Sequence, residues 1–318
     1  MKIDVSEVKT YRECKRKHEF SSRNRFHLRS TIPNPNLEFG TKFHEVLGKM
    51  YMGEPLEKIL NWINENVKDS VQWKVMDNMA RGYYNGPYQQ DKERYVVVDI
   101  EKSFNYPIGA VGDNMYPIVH FVEGDDGNWL GVDENGDLHE AICICGSIDM
   151  ICIDKETGKL VGFEHKTAKN FRPEVYDLLD EQPRVYSWAL QRILEDYHRA
   201  GKYTEVTSTG PIFLNQVKKL QTKFDYHRSV CEYTESDLRN FMLAFMQTVS
   251  NIADAPDVCN PDPGFMKCQM CDYADLCMHY GYADINKEEL LKEFEGEYIV
   301  RERDHLEEKP SQHNDATE

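Results

Sequence analysis

The clearest pattern of apolar and polar positions in this 318-residue chain lies at residues 141–166, AICICGSIDMICIDKETGKLVGFEHK. Two runs rich in isoleucine flank a polar break at residues 154–159. Short β-branched runs around a glycine-containing break are typical of a β-hairpin. We place the turn of this hairpin at Glu156 and Thr157.

This hairpin would gather charged residues on one face. Asp149 then lies opposite Glu164, and Lys166 shares the face of Glu164 because side chains two apart in a strand point the same way. Carboxylates directly across a sheet repel each other, and a divalent metal with oxygen ligands would relieve that repulsion. The alternative is a solvated face with ordinary charges. Against it, Ile148 and Phe163 indicate burial nearby, where unpaired carboxylates are costly.

The rest of the chain alternates between helical and strand periods. Helices are predicted over residues 37–51, over 56–80, over 174–199 with a break at Pro183, and from Thr234 or Ser236 to Ile252. Strands are predicted at residues 95–104, 211–217 and 223–232. Residues 106–137 are rich in Gly, Asp, Asn and Pro, which predicts loops or an irregular hairpin. This mixture of helices and strands favours an α/β protein.

The helix over residues 37–51 carries Gly40, His44 and Gly48 on one stripe, because they are spaced four apart. Glycine inside a helix costs stability. Two glycines that bracket a histidine therefore predict that another part of the chain, or a ligand, approaches closely there. The alternative is a buried histidine bonded to a neighbouring group.

Composition narrows the class of protein. Hydrophobic residues make up 40% of the chain, which is ordinary for a soluble protein with a substantial core. No N-terminal apolar stretch resembles a signal peptide and no run is long enough to span a membrane, so we expect a cytoplasmic protein. In a reducing compartment its nine cysteines favour metal or cluster ligation and buried thiols over disulfides.

Charge is distributed unevenly along the chain. The formal net charge of −17 argues against a protein that coats nucleic acid with its whole surface. Residues 1–30, however, hold nine Lys or Arg against four Asp or Glu, whereas residues 287–318 hold five against eleven. Aromatic residues alternate with Lys15, Arg16 and Lys17 in the basic segment. This segment is either a solvated amphipathic helix or a surface that binds a single strand.

A second candidate site is the spacing C-x2-C-x5-C of Cys268, Cys271 and Cys277. Three thiols this close in a reducing compartment usually bind a metal. A fourth ligand is required, and Cys259 and His279 are candidates for it. The metal is either zinc or an iron–sulfur cluster, and ligation by cysteine alone favours the cluster.

Several of these stretches resemble one known family. Gly146-Ser147-Ile148-Asp149 followed by Glu164-His165-Lys166 resembles the core of the PD-(D/E)XK nucleases, most closely the RecB-type branch of CRISPR-associated and phage exonucleases. FGTKFHEVL around His44 resembles the first motif of that branch. Gln182 and Tyr186, four apart, match its QxxxY motif, and the motifs follow one another in the family's order.

The resemblance implies a fold and a metal site. The fold would be α/β, a mixed β-sheet flanked by helices as in restriction endonucleases. Mg²⁺ or Mn²⁺ would be held by His44, Asp149, Glu164 and the main-chain carbonyl of His165, whose side chain replaces the apolar residue or tyrosine that is common there. Glu101 lies where the branch often carries a further acid, and the alternative is a solvent-facing strand residue.

The activity implied by the resemblance is hydrolysis of phosphodiester bonds in DNA. Lys166 would orient or activate the attacking water or bind the scissile phosphate, and Gln182 and Tyr186 would position the strand. We expect an exonuclease on single-stranded ends in recombination, repair or phage replication, with a helicase or recombinase as a candidate partner and no membrane. The alternatives are a non-catalytic DNA-binding or adaptor subunit and a redox-sensing scaffold.

The start of the chain resembles the iron–sulfur members of the same branch, because Tyr11-Arg-Glu-Cys14 precedes a basic run. The resemblance implies that Cys14 joins Cys268, Cys271 and Cys277 around a [4Fe–4S] cluster, with structural zinc as the alternative. Four domains are then expected: a basic N-terminal segment (1–36), a nuclease core (37–255), a cysteine cluster region (256–285) and an acidic, partly disordered tail (286–318).

Overall fold

The computed structural model of the protein describes residues 1–110, 118–124, 128–256, 258–301 and the backbone of residues 312–313. Its helices are α1 (Val5–Glu13), α2 (Lys15–Ser21), α3 (Pro35–Tyr51), α4 (Leu56–Asn66), α5 (Ser70–Asn85), α6 (Pro87–Arg94), α7 (Glu174–Leu179), α8 (Glu181–Arg199), α9 (Glu235–Ala253), α10 (Phe265–Gln269), α11 (Ala274–Tyr280) and α12 (Lys287–Glu293). Its strands are β1 (Lys2–Ile3), β2 (Leu28–Ser30), β3 (Tyr95–Ala110), β4 (Ile118–Glu123), β5 (Trp129–Asp133), β6 (Leu138–Asp154), β7 (Leu160–Ala168), β8 (Thr209–Lys218), β9 (Tyr226–Cys231), β10 (Tyr298–Val300) and β11 (Gln312–His313). Most of the tail that was predicted to be partly disordered, from residue 302 onward, lies outside the described residues.

The chain divides into two compact units. Unit 1 comprises Met1–Pro33, Phe104–Gly146 and Asn240–Glu308. Unit 2 comprises Asn34–Ser103, Ser147–Arg239 and Lys309–Glu318. The elements β3, β6 and α9 contribute residues to both units.

Unit 2 contains a mixed sheet with the strand order β11-β3-β6-β7-β8-β9. β6 and β7 are antiparallel, β7 and β8 are parallel, and β8 and β9 are antiparallel. A parallel pair needs a crossover connection, which α7 and α8 provide between β7 and β8. Helices pack on this sheet, so the predicted α/β fold with a mixed sheet flanked by helices is confirmed.

Different helices cover the two faces of this sheet. Met150, Phe163 and Phe213 pack into one core with residues of α3, α4, α5 and α6. On the opposite face, a Cβ added to Gly162 would lie 4.0 Å from Leu190 of α8. Because side chains alternate along a strand, residues of β7 with even numbers face α8 and those with odd numbers face α3.

The hairpin of β6 and β7 has the predicted register. Met150 pairs with Phe163, Ile151 with Gly162, Cys152 with Val161 and Ile153 with Leu160. The backbone pairing ends at Met150 and Phe163, and the side chain of Asp149 accepts the N–H of His165. In the turn, Gly158 has φ = 68°, a conformation that glycine adopts without steric cost. The alternation of apolar residues and the position of the polar break were therefore sufficient to predict this pairing.

Two predicted helices are divided differently in the structure. The helix expected over residues 56–80 is α4 and α5, because the Asp69 side chain accepts two backbone N–H bonds and begins a new helix. The break expected at Pro183 occurs at Asp180, which caps α8. Pro183 lies in the first turn of α8, where its missing N–H would have had no helical partner. Thr234 caps α9 as predicted, since its Oγ1 accepts the N–H of Asp237 at 3.1 Å.

Unit 1 joins segments from distant parts of the chain. β1 runs parallel to the start of β6, β2 pairs with β10, and β4 and β5 form an antiparallel hairpin that continues to β6. Its apolar core contains Phe20 and Leu28 from the N-terminal segment together with Tyr273, Leu276 and Leu290. No helix in the described part of the chain is both long and apolar enough to cross a bilayer.

Candidate active site

The predicted metal ligands His44 and Asp149 are in contact in unit 2. Nδ1 of His44 lies 3.4 Å from Oδ1 of Asp149, and Nε2 of His44 lies 2.8 Å from the main-chain oxygen of His165. The backbone N–H of His165 donates to Oδ2 of Asp149 at 2.7 Å. α3, β6 and β7 each contribute one of these residues, so the site depends on their packing.

The two glycines beside His44 make no tight contact with any residue that the structure describes. A Cβ on Gly40 would lie 3.8 Å from Oγ1 of Thr167, and a Cβ on Gly48 would lie 3.7 Å from Ile100. These are ordinary van der Waals distances. Among the described residues, the chain therefore approaches these glycines only to ordinary contact distance, and a closer approach that only glycine would allow is not seen there.

The structure adds Glu101 to the candidate ligands. One donor atom from each of His44, Glu101 and Asp149 lies within 4.8 Å of the other two. Among the described residues, these three form the group whose donor atoms are close enough together to hold a metal ion. Glu101 has φ = 55°, and non-glycine residues in this conformation are strained and cluster at functional sites. From the sequence, Glu101 could be singled out only by its position relative to the family motifs. The alternation of side chains along a strand does not reveal a local change of backbone direction.

Glu164 and Lys166 face α8, where they meet the predicted QxxxY pair. Lys166 forms an ion pair with Oε1 of Glu164, and its Nζ lies 3.1 Å from Oε1 of Gln182. Nε2 of Gln182 donates to Oε1 of Glu164 at 3.0 Å and to the hydroxyl of Tyr186 at 2.8 Å. Oε2 of Glu164 is buried and has no hydrogen-bond partner in the described part of the chain.

The ionisable groups of this site change one another's protonation. Burial, and then the charge of Asp149, raise the pKa of Glu164 to about 7. Burial lowers the pKa of His44, but Asp149, Glu164 and Glu101 outweigh it and raise that pKa to about 9. Burial raises the pKa of Asp149, but His44 and a backbone N–H outweigh it and hold that pKa below its usual range. Without metal, the site at neutral pH therefore contains an imidazolium beside carboxylates.

The ring of His165 is buried on the α3 side in a polar network that no sequence motif indicated. Its Nδ1 lies 3.1 Å from Nδ2 of Asn215, and it stacks on Tyr51 with ring centres 5.9 Å apart. Oδ1 of Asn215 accepts from Nε of Arg228 at 2.7 Å, and Arg228 forms two bonds of 2.7 Å with Asp91. Burial is the main cause that lowers the pKa of His165 to about 3, so the ring is neutral.

The donor groups fit a divalent cation. Carboxylates are the ligands that Mg²⁺ and Mn²⁺ prefer, and a neutral imidazole is a common metal ligand. Oε2 of Glu164 offers a further buried oxygen that has no hydrogen-bond partner among the described residues. A cation would also offset the repulsion between Asp149 and Glu164, and it would displace the proton of His44.

The sequence pattern of the PD-(D/E)XK nuclease superfamily matches residues 3–278 of the chain. The chain belongs to the PD-(D/E)XK nuclease superfamily. None of the curated proteins matches it significantly. Similar solved structures include that of SSO0001, with 12% identity, a TM-score of 0.39, and coverage of 90% of this chain and 88% of that chain. Another is a "Putative exonuclease" from Eubacterium rectale, with 14% identity, a TM-score of 0.45, and coverage of 90% and 91%.

This PD-(D/E)XK protein also brings together the four cysteines predicted to bind a cluster, all in unit 1. Burial, together with the proximity of Cys14, Cys271 and Cys268, raises the pKa of the Cys277 thiol to about 11. Backbone N–H groups of the loop before α10 lie 3.4 Å from Sγ of Cys14 and 3.5 Å from Sγ of Cys268. The rival ligands are engaged elsewhere: Cys259 is buried beside Pro256, and His279 pairs with Glu293 at 3.0 Å.

Zinc and an iron–sulfur cluster require different spacings of the cysteine sulfurs. Zinc with four Zn–S bonds of about 2.3 Å would hold its sulfurs roughly 3.8 Å apart. Among the residues that the structure describes, no three thiols have sulfurs within 4.8 Å of one another. In a [4Fe–4S] cluster each cysteine binds a different iron, which allows a wider separation of the sulfurs.

The prediction that Arg16 contacts DNA is wrong, because its side chain is completely buried in this PD-(D/E)XK protein. Its guanidinium lies 2.8 Å from Oε2 of Glu19 and 2.8 Å from the carbonyl oxygen of Ala283. Lys15 is exposed, and Lys17 is partly exposed and pairs with Glu13 at 3.0 Å. Arg16 points inward from α2, where its guanidinium links α2 to the distant segment that contains Ala283.

Proposed function

We propose that the protein is a Mg²⁺- or Mn²⁺-dependent deoxyribonuclease that hydrolyses phosphodiester bonds at the ends of single-stranded DNA. The observation that carries this proposal is the convergence of His44, Glu101 and Asp149 beside the Glu164–Lys166 pair. Membership of the nuclease superfamily supports DNA as the substrate. The preference for ends and for single strands rests on the resemblance of the motifs to the RecB-type branch.

The candidate ligands lie on four elements of unit 2: α3, β3, β6 and β7. His44, Glu101 and Asp149 would hold the cation, with Glu164 and the main-chain oxygen of His165 beside them. A bound divalent ion stabilises negative charge on the phosphate and lowers the pKa of water. Asp149 also accepts the N–H of His165 at 2.7 Å, which links β6 and β7 just beyond their last backbone pair, Met150 and Phe163.

Lys166 would act on the phosphate or on the attacking water. Its side chain is 41% exposed, so the ammonium group is accessible, yet it is held by Glu164 and by Oε1 of Gln182 at 3.1 Å. Gln182 is in turn bonded to Tyr186 at 2.8 Å. These contacts orient a cation toward the site without burying it, as binding of a scissile phosphate requires.

A [4Fe–4S] cluster bound by Cys14, Cys268, Cys271 and Cys277 would have a structural role in unit 1. What supports it is the mutual proximity of the thiols and the two N–H groups that lie beside their sulfurs. A link between residues so far apart in the chain removes a large loop entropy from the unfolded state. The cluster would therefore fix the basic N-terminal segment.

The test is a cleavage assay on end-labelled single-stranded and circular oligonucleotides, with Mn²⁺ affinity measured by titration calorimetry. We expect the parent protein to degrade the linear strand and leave the circle. Glu164→Ala should abolish cleavage and weaken Mn²⁺ binding. Lys166→Ala should keep Mn²⁺ binding nearly intact and lose most of the rate.

Glu156→Ala is the matched control, because Glu156 lies in the turn of the same hairpin and is exposed. It should cleave at the parent rate. If Glu164→Ala also cleaves at the parent rate, the site assignment is wrong. If the parent binds DNA and never cuts it, the non-catalytic adaptor becomes the better interpretation. Cutting of the circle would replace the exonuclease by an endonuclease.

A further inference from the structure

One apolar surface near the candidate site is not covered by any of the residues that the structure describes. Val175, Tyr176 and Leu179 of α7 are 55%, 62% and 65% exposed. They are spaced one, three and four residues apart, so they form one continuous face of the helix, which we call the α7 ledge. Three large apolar side chains in one patch are more than scattered exposure explains.

The opposite side of α7 is fixed firmly to the sheet of unit 2. Asp177 has no exposed surface. Its Oδ2 accepts bonds of 2.7 Å from Nε2 of Gln216 and from the hydroxyl of Ser229, and its Oδ1 lies 3.1 Å from Nε of Arg172. A buried carboxylate with all these bonds is costly to move. The α7 ledge is therefore a fixed feature of the surface.

The ledge is directly connected to the candidate active site. Asp180 follows α7 and accepts the backbone N–H of Gln182 at 3.0 Å as the cap of α8. Leu179 and Gln182 are three residues apart, so their Cα atoms are at most about 11 Å from each other. Gln182 contacts both Lys166 and Glu164. The nucleotides next to a phosphate bound at Lys166 are therefore within reach of the ledge.

Cations lie on the loop that leads into α7. Lys169 is exposed and forms no ion pair within the described residues. Arg172 is 46% exposed, with its charge matched by Asp177 and Asp180. An apolar, partly aromatic surface with an exposed cation on the preceding loop is a combination that binds single strands, because bases stack on the ring while the cation meets the backbone.

We propose that the α7 ledge binds unpaired nucleobases of the substrate strand, one or a few nucleotides away from the bond that is cut. This inference rests on the proposed nuclease function and names the feature that selects single strands. Bases in a duplex are already stacked on one another, so their faces cannot contact Tyr176. Unpaired bases have free faces, and Val175 and Leu179 extend the apolar area beneath them.

The test compares binding of an oligothymidylate with that of an abasic strand of the same length and phosphate number. Fluorescence anisotropy in Ca²⁺ gives both dissociation constants, with a gel to verify that the strands stay intact. We expect the parent to prefer the oligothymidylate by about tenfold, the range of one base–aromatic stacking contact. Tyr176→Ala should reduce that ratio toward one and leave the affinity for the abasic strand unchanged.

Tyr282→Ala is the matched control, because Tyr282 is 67% exposed and lies outside the ledge. It should keep the parent's ratio. The proposal is overturned if Tyr176→Ala keeps the parent's preference for the oligothymidylate, or if Tyr282→Ala loses as much of that preference. The nuclease function stands in either case, provided that the parent cleaves DNA. If the parent protein neither binds nor cuts DNA, both the proposed role of the α7 ledge and the proposed nuclease function are wrong. If instead sedimentation shows a parent dimer that Tyr176→Ala converts to monomer with the ratio unchanged, the ledge is an interface between copies.

Discussion

The side-chain amide of Asn215 lies 3.1 Å from Nδ1 of the His165 ring. Its Oδ1 faces Nε of Arg228 at 2.7 Å, and because arginine is only a donor, the NH₂ group must be the side that faces His165. Nδ1 of His165 is therefore an acceptor. The main chain of His165 contacts both Asp149 and His44, so a buried network with no sequence motif of its own orients a residue of the candidate metal site.

We expect Asn215→Leu to lower the free energy of unfolding by about 3 kcal/mol, because it leaves Arg228 and His165 with buried polar atoms that have lost a partner. Urea denaturation of the metal-free protein measures the loss. His165→Phe should remove part of the same interaction. The double variant should then be less destabilised than the sum of the two singles by about 1 kcal/mol. Additive losses would mean that the two residues do not interact.

Glu164→Gln should stabilise the metal-free protein at alkaline pH. The pKa of Glu164 is raised from 4.5 to about 7, so its contribution to stability is complete below pH 4.5 and is lost as the pH rises through 7. That loss is about 3 kcal/mol, reduced in the comparison by the ion pair with Lys166 that the variant also lacks. The measurement is urea unfolding in EDTA at pH 5 and pH 8. Glu156→Gln, at an exposed position of the same hairpin, should show no such pH dependence.

Glu101→Gln should weaken Mn²⁺ binding about tenfold or more, because it removes a negative charge from the group formed with His44 and Asp149. Titration calorimetry gives the affinity, and circular dichroism shows whether the fold is intact. Glu123→Gln serves as the control, since Glu123 is an exposed glutamate on strand β4. Equal Mn²⁺ affinity for Glu101→Gln and the parent would return Glu101 to the status of an ordinary strand residue.

Cys14→Ser should bleach and destabilise the protein. If Cys14 is the fourth cluster ligand, anaerobically purified parent protein will be brown and the variant will not. Absorption spectra and iron content measure this directly. Cys259→Ser should keep both colour and iron, because the thiol of Cys259 faces the carbonyl oxygen of Pro256 and is not assigned to the cluster. Colourless parent protein with stoichiometric zinc would contradict the cluster and leave the nuclease proposal standing.

The basic residues of α2 should separate into two classes. Lys15→Ala and Lys17→Ala should weaken binding to single-stranded DNA and flatten its dependence on salt, since each removes a surface charge. Arg16→Ala should instead lower the free energy of unfolding by about 3 kcal/mol, because it leaves the buried carboxylate of Glu19 without its arginine partner. Salt titrations of binding and urea denaturation of all three variants distinguish the classes. An unchanged salt slope for both lysines would show that this surface does not contact DNA.

The sequence by itself determined what depends on neighbours along the chain. The register of the β6–β7 hairpin follows from alternation around one turn, and a shift by one residue would turn every apolar side chain to the wrong face. Extended by one residue, that register predicts Asp149 opposite Glu164. The four-residue spacing of Gln182 and Tyr186 likewise requires only that α8 is a helix.

The tertiary structure decided what depends on contacts between distant segments. The left-handed backbone at Glu101 brings it to His44, and periodicity carries no sign of such a change. Arg16 belongs to a run that is basic by composition, yet the carbonyl of Ala283 and the carboxylate of Glu19 bury it. Asn215 and Arg228 are ordinary strand residues until β8 and β9 place them beside His165. Such partners meet only when the chain has packed, because burial and hydrogen bonding across the core are not properties of any local pattern.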